Sequence, residues 1–134
     1  MIFVDTSAFF AMMVENDVNH LEAQHASTQV ESGEFGVMVT TDYIISELIT
    51  LMRVRVGHQQ AVEAYESIDS SPNVRTAPVA PAIRRSAFDI FRSSPDKDYS
   101  FTDCTSFAAM RSLGIDKAFT FDDHFRQAGF FVVP

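Results

Sequence analysis

Apolar residues along the chain come in two rhythms. Short runs at Met1–Val4, Val37–Val39, Ala118–Phe121 and Phe130–Val133 have the length and the branched or aromatic character of strands buried on both faces. Val74–Val79 resembles a fifth, with Pro78 at its edge or end. Longer stretches with helical spacing separate them. Ala8–Val14 follows the first strand after Asp5-Thr6-Ser7, and Asp17–Glu31 reads as a mostly polar helix. Thr41 or Asp42 can cap a helix in which Ile44, Leu48 and Leu51 recur, and Gln59–Ile68 is another. Pro81 suits the first turn of a helix running to about Arg92. Ser100 or Thr102 can cap a helix that carries Cys104, Phe107 and Ala108 on one face and stops at Gly114. A short helical stretch, Asp123–Ala128, precedes the last strand. Strands alternating with helices predict an α/β fold: a mostly parallel central sheet of about five strands with helices on both faces, a Rossmann-like three-layer arrangement.

The loop signals at Gly33–Gly36, Ser70–Asn73 and Ser93–Asp98 are too short to divide domains, so residues 1–134 read as a single domain. A chain of this length folds without disulfides or a structural metal. Its one cysteine, Cys104, excludes an intramolecular disulfide, and no Cys/His cluster has zinc-site spacing. The first residues lack a positive n-region, and Asp5 interrupts the apolar run, so neither a secretory signal nor a membrane span is expected. The expected location is cytoplasmic.

The formal charge of −8 is unevenly spread: residues 1–52 hold eight acids and no Lys or Arg, while residues 53–134 hold ten of each sign. Such a surface repels phosphate at long range, which excludes nonspecific nucleic-acid binding driven by counterion release. A nucleic-acid substrate then requires cations to neutralise the carboxylates and local arginines to hold the strand.

In open parallel sheets ligands bind beyond the carboxyl ends of the strands. Asp5 closes the first strand and Asp122 follows the strand that ends in Phe119-Thr120-Phe121. Asp103 sits in the first turn of its helix, where the dipole favours an anion, and Glu47 lies on or beside the apolar face of Ile44 and Leu51. Taken singly, each has a plain structural explanation: a cap for Asp5, a dipole-complementing acid for Asp103, a snorkelling side chain for Glu47, a turn for Asp122 and Asp123. Together, converging without bases, they repel one another. A hard divalent ion with oxygen ligands resolves that conflict.

Four stretches of the chain carry a resemblance: Phe3-Val4-Asp5-Thr6-Ser7-Ala8, Thr40-Thr41-Asp42-Tyr43 leading to Ser46-Glu47-Leu48, Tyr99-Ser100-Phe101-Thr102-Asp103-Cys104, and Ala118-Phe119-Thr120-Phe121-Asp122-Asp123-His124-Phe125 with Ala128-Gly129-Phe130. In this order, with intervals of 42, 56 and 19 residues between the acids, the sequence resembles the PIN-domain ribonucleases, in particular the VapC-type toxins of type II toxin–antitoxin pairs. The resemblance implies a PIN-like fold and Mg²⁺- or Mn²⁺-dependent endonucleolytic cleavage of RNA. It makes Asp5, Glu47, Asp103 and Asp122 the catalytic, metal-binding acids, Asp122 being preferred to Asp123 because the family's acid stands two residues after the threonine. Thr6 and Thr120 become hydroxyls that orient a ligand or water. It further implies a homodimer inhibited by a cognate antitoxin protein whose Arg enters the acidic pocket. Phe9, Phe10, Met12 and Met13 are candidates for the core, the antitoxin groove or the dimer contact. Arg53, Arg55, Arg84, Arg85, Arg92 and Arg111 are the candidate phosphate contacts.

Other readings weighed on the same residues are a housekeeping PIN nuclease of RNA maturation and a catalytically silent dimerising or antitoxin-binding module. Phosphoryl transfer through an aspartyl phosphate at Asp5 fits less well. A haloacid-dehalogenase-like phosphatase wants an acid where Ser7 stands, and a response-regulator receiver wants a lysine where the chain ends in Val133 and Pro134.

Overall fold

An apolar run that ends in a capping residue is the unit from which this chain is built. In the computed structural model, which describes residues 1–134, Ile2–Val4 forms β1, Asp5 caps the helix behind it, and Thr6–Met13 forms α1. α2 (His20–Glu31) follows, then β2 (Met38–Thr41) and α3 (Asp42–Arg55), with Thr41 accepting the Ile44 N–H as the cap. α4 (His58–Ser70) leads to β3 (Val74–Ala77), and α5 (Pro81–Ser93) has its proline at the start. α6 (Phe101–Leu113) is capped by Ser100 and closed by Gly114 in the left-handed conformation, φ 68°. β4 (Lys117–Phe119), α7 (His124–Gln127) and β5 (Phe131–Val133) complete the chain.

All strand pairs are parallel, in the order β3-β2-β1-β4-β5, with helices on both faces of the sheet. The chain winds outward from β1 to β2 and β3, then crosses back to place β4 on the other side of β1. β1 and β4 therefore flank the point where the winding reverses, the crevice in which such sheets bind ligands. Phe3, Val39, Ile44, Leu48, Phe107, Met110, Phe119 and Phe125 anchor the core between sheet and helices. No helix is long and apolar enough to cross a membrane.

Several boundaries differ from the sequence pattern for identifiable reasons. β2 extends through Thr40 and Thr41 because Thr40 Oγ1 donates to the Val4 carbonyl at 3.0 Å, so a buried hydroxyl is satisfied within the sheet. β3 ends before Pro78, and the Val79 N–H goes instead to Asp42 Oδ1 at 2.8 Å. α2 starts at His20, three residues after Asp17. Asp103 through Met110 are all buried, so α6 hides its whole circumference and not one face alone. In α3 Met52, next to Leu51, is the buried apolar residue of the last turn.

Candidate active site and metal centre

β1 delivers Asp5 to the reversal point, and every side-chain hydrogen bond it receives lands on Oδ2: Ser7 Oγ at 2.8 Å, Thr120 Oγ1 at 2.9 Å and the Ser7 N–H at 3.3 Å. Both hydroxyls direct their protons to Asp5, because each accepts a backbone amide: Phe121 N–H to Ser7 Oγ and Asp122 N–H to Thr120 Oγ1, both at 2.9 Å. Two adjacent amides just beyond β4 are thereby fixed to the end of β1. No ion pair of the chain involves Asp5. Burial pushes its carboxyl up to about 6, against the opposing pull of the Ser7 and Thr120 hydrogen bonds.

Asp103 is placed by a capping box at the start of α6. Ser100 Oγ accepts the Asp103 N–H, and Asp103 Oδ2 accepts the Ser100 N–H, both at 2.9 Å. The same Oδ2 lies at hydrogen-bond distance, 3.0 Å, from His124 Nδ1. Asp122 Oδ1 accepts the His124 backbone N–H at 2.9 Å and lies 3.3 Å from His124 Nδ1. One ligating atom each from Asp103, Asp122 and His124 falls within 4.8 Å of the others. In Asp5, Asp103 and Asp122 the chain's own donors thus occupy one carboxylate oxygen and leave the other free of side-chain hydrogen bonds. The Asp103 and Asp122 oxygens so arranged fit a divalent cation, and Asp5, a buried acid lacking any cationic partner, stands outside that 4.8 Å group but is tied to the Asp122 main chain through Thr120.

Thr120 links Asp5 to Asp122, and His124 links Asp122 to Asp103, so three of the four expected acids share one network. Glu47 is not hydrogen-bonded to it. It is exposed on α3 and lines a cleft of about 850 Å³ with Tyr43, Arg55 and Thr102, the last being the neighbour of Asp103. Asp123 points elsewhere: it is largely exposed and pairs with Arg126 at 3.2 Å. The Thr6 hydroxyl is buried without a hydrogen-bond partner in the protein, and Ser7 is the neighbouring hydroxyl that bonds Asp5.

Of the candidate phosphate contacts, Arg55 alone lines the Glu47 cleft. Arg92 is tied to Asp89 at 2.9 Å, Arg111 lies over the Phe130 ring, Arg84 and Arg85 share a separate hollow with Phe101, and Arg53 lines a groove between α3 and α4. Phe9 and Phe10 belong to the core and Met12 and Met13 pack against it. Cys104 is fully buried, which pushes its thiol up to about 11 and leaves no thiolate nucleophile.

Ser7 and His124 were not singled out by the sequence pattern. A hydroxyl two residues after a capping Asp was a usable signal for Ser7. His124 carried none, because its partner Asp103 is 21 residues away.

The PIN domain family model matches residues 2–131. The chain belongs to the PIN domain family. It is 36% identical over 130 residues to the 23S rRNA-specific endonuclease VapC20 of Mycobacterium tuberculosis, covering 97% of this chain and 95% of that relative. The crystal structure of that sarcin-ricin loop cleaving toxin superposes with a TM-score of 0.90 at 35% identity over the full length of both chains. A VapC ribonuclease of Archaeoglobus fulgidus is 24% identical over 123 residues, covering 91% of this chain and 77% of that relative. The structure of FitAcB from Neisseria gonorrhoeae shares the fold at a TM-score of 0.70 and 16% identity, covering all of this chain and 97% of that one.

Proposed function

We propose that this PIN protein is an endoribonuclease toxin that cleaves RNA at Asp5, Asp103 and Asp122 with Mg²⁺ or Mn²⁺ as cofactor and Glu47 as the fourth acid. The observation that carries the reading is the network at the β1/β4 reversal: the Asp103 and Asp122 carboxylates meet at His124, and the Asp5 carboxylate is tied through Thr120 to the Asp122 main chain, with no Lys or Arg among them. Full-length similarity to an rRNA endonuclease supports the same chemistry.

These acids would hold the cation, which when bound would supply Lewis-acid polarisation of a phosphate oxygen and activation of the attacking water. Asp5 is the most constrained of the ligands, held by Ser7 and Thr120 so that its second oxygen has a fixed direction. Asp103 is fixed by Ser100 at a helix start, and Asp122 by the His124 amide. Glu47 would complete the set from the cleft that it shares with Thr102, the neighbour of Asp103, and Arg55 in the same cleft would meet the backbone of the RNA strand.

A cognate antitoxin is the expected partner. A groove of about 450 Å³ between α3 and α4, lined by Ile49, Ala61 and Tyr65, shares Thr50 with the Glu47 cleft. One antitoxin segment can therefore place apolar side chains in the groove and an Arg beside the acids. The protein acts as a homodimer, for which half-exposed Phe88 and Phe91 on α5 offer an apolar face.

Incubating the purified protein with a sarcin-ricin-loop oligonucleotide, transfer RNA and messenger RNA, in Mn²⁺ and in EDTA, tests the activity. Cleavage confined to the Mn²⁺ samples is expected. Cleavage in EDTA, or none of any RNA with Mn²⁺, contradicts it.

A further inference from the structure

Asp103 and Asp122 come from different elements, one from the first turn of α6 and the other from the loop after β4. Like charges so close separate unless something with a positive end stands between them. No arginine or lysine does so: the cationic side chains in ion pairs bind Asp89, Asp96, Asp116 and Asp123. The atom between the two carboxylates is His124 Nδ1, 3.0 Å from Asp103 Oδ2 and 3.3 Å from Asp122 Oδ1.

A ring nitrogen within reach of two carboxylate oxygens can join them only as a hydrogen-bond donor. The ring is held from several directions. The next residue, Phe125, is fully buried against Phe3 and Phe107, which anchors α7. Tyr99 packs against the imidazole edge-on, with centroids 5.5 Å apart, and Ser100 N–H donates to the same Asp103 Oδ2. His124 is therefore locked to the core while its Nδ1–H joins two acids and leaves Asp103 Oδ1 and Asp122 Oδ2 free.

We infer that His124 is a positioning residue: its Nδ1–H gathers Asp103 and Asp122 into one preformed ligand pair for the divalent cation, and the imidazole is not itself the ligand. The inference rests on the metal-centre reading above and goes beyond it by assigning the work of preorganisation to one ring nitrogen. Outer partners of this kind commonly tune metal affinity by about 10–100-fold.

Side-chain geometry makes the role separable from mere space filling. In His124→Asn the amide nitrogen occupies the place of Nδ1, the same number of bonds from the backbone, whereas in His124→Gln the amide nitrogen falls where Nε2 was. Mn²⁺ binding by isothermal titration calorimetry is expected to weaken by roughly 10-fold or more in His124→Gln and to stay within about 3-fold of the parent in His124→Asn. The kcat at saturating Mn²⁺ is expected to change less than the Mn²⁺ concentration needed to reach half of it. Independently of any variant, ¹⁵N NMR of the imidazole in the metal-free full chain is expected to find Nδ1 protonated. A neutral ring with its proton on Nε2 overturns the inference, as does His124→Gln binding Mn²⁺ as tightly as the parent. Loss of Mn²⁺ binding in both variants makes the ring a ligand instead and also overturns it. A parent protein that binds no Mn²⁺ overturns the metal centre itself, and the role of His124 with it.

Discussion

Thr120 donates its hydroxyl proton to Asp5 Oδ2 over 2.9 Å, although the two residues are 115 positions apart. The bond joins the ends of two neighbouring strands, and the same hydroxyl accepts the Asp122 N–H. Removing it in Thr120→Val, which keeps the side-chain shape, strips a donor from a buried carboxylate and leaves that amide unpaired. The expected loss is about 1–3 kcal/mol in urea unfolding at neutral pH with EDTA, and Thr120→Ser is expected to restore most of it. Equal stability of Thr120→Val and the parent would show that the hydroxyl does not hold the site.

Asp5 makes the metal-free protein sensitive to pH in a definite direction. Its carboxyl releases the proton at about 6 when folded and near 3.8 when unfolded. Between these values the folded state binds more protons, so stability falls as pH rises through this window and is flat above it. Asp5→Asn removes the buried charge and is expected to stabilise the metal-free chain above that window by on the order of 2 kcal/mol, while abolishing RNA cleavage. Urea midpoints in EDTA between about pH 4 and pH 8 check this; parallel curves for the two proteins would contradict it.

Asp122 and Asp123 are adjacent in sequence and differently bonded, Asp122 to His124 and Asp123 to Arg126. Asp122→Asn is expected to lower the cleavage rate by about 100-fold or more, since it alters a proposed ligand. Asp123→Asn loses only an exposed pair with Arg126 and is expected to stay within about 2-fold of the parent in rate and within about 1 kcal/mol in stability. Rates measured on one RNA at saturating Mn²⁺ distinguish the two, and the reverse order would exchange their assignments.

Arg55 is the candidate phosphate contact that shares the cleft with Glu47. Arg55→Ala is expected to raise KM for RNA several-fold and to reduce the salt dependence of binding by about one unit of slope, with the fold intact. Arg92→Ala, whose side chain is occupied by Asp89, is expected to change neither. Fluorescence anisotropy of labelled RNA over a range of salt reads both.

Much of this architecture is written locally. The apolar run to Val4 that stops at Asp5, the Ser100-to-Asp103 capping box and the Gly114 stop are short-range patterns with a direct physical meaning. So is the order of the four acids. What local pattern does not carry is the crossover that sets β4 beside β1 and brings Thr120 to Asp5, because parallel pairing leaves no mark on adjacent residues. The partnership of His124 with Asp103 is hidden for the same reason. Thr40 lies outside the apolar run Val37–Val39, and its place in the strand depends on the sheet supplying an acceptor for its buried hydroxyl. The exposure of Glu47 on a cleft wall follows from how α3 faces α6, which helical spacing alone does not give.

The claim on which the account turns is that Asp5, Asp103 and Asp122 act as one cation site. Electron paramagnetic resonance of Mn²⁺ titrated into the protein tests it without recourse to substrate. The parent and Asp123→Asn are expected to bind the ion alike, and Asp5→Asn, Asp103→Asn and Asp122→Asn each to lose most of that affinity. Retention of parental Mn²⁺ affinity in any of the three would remove that acid from the site, and retention in all three would contradict the account.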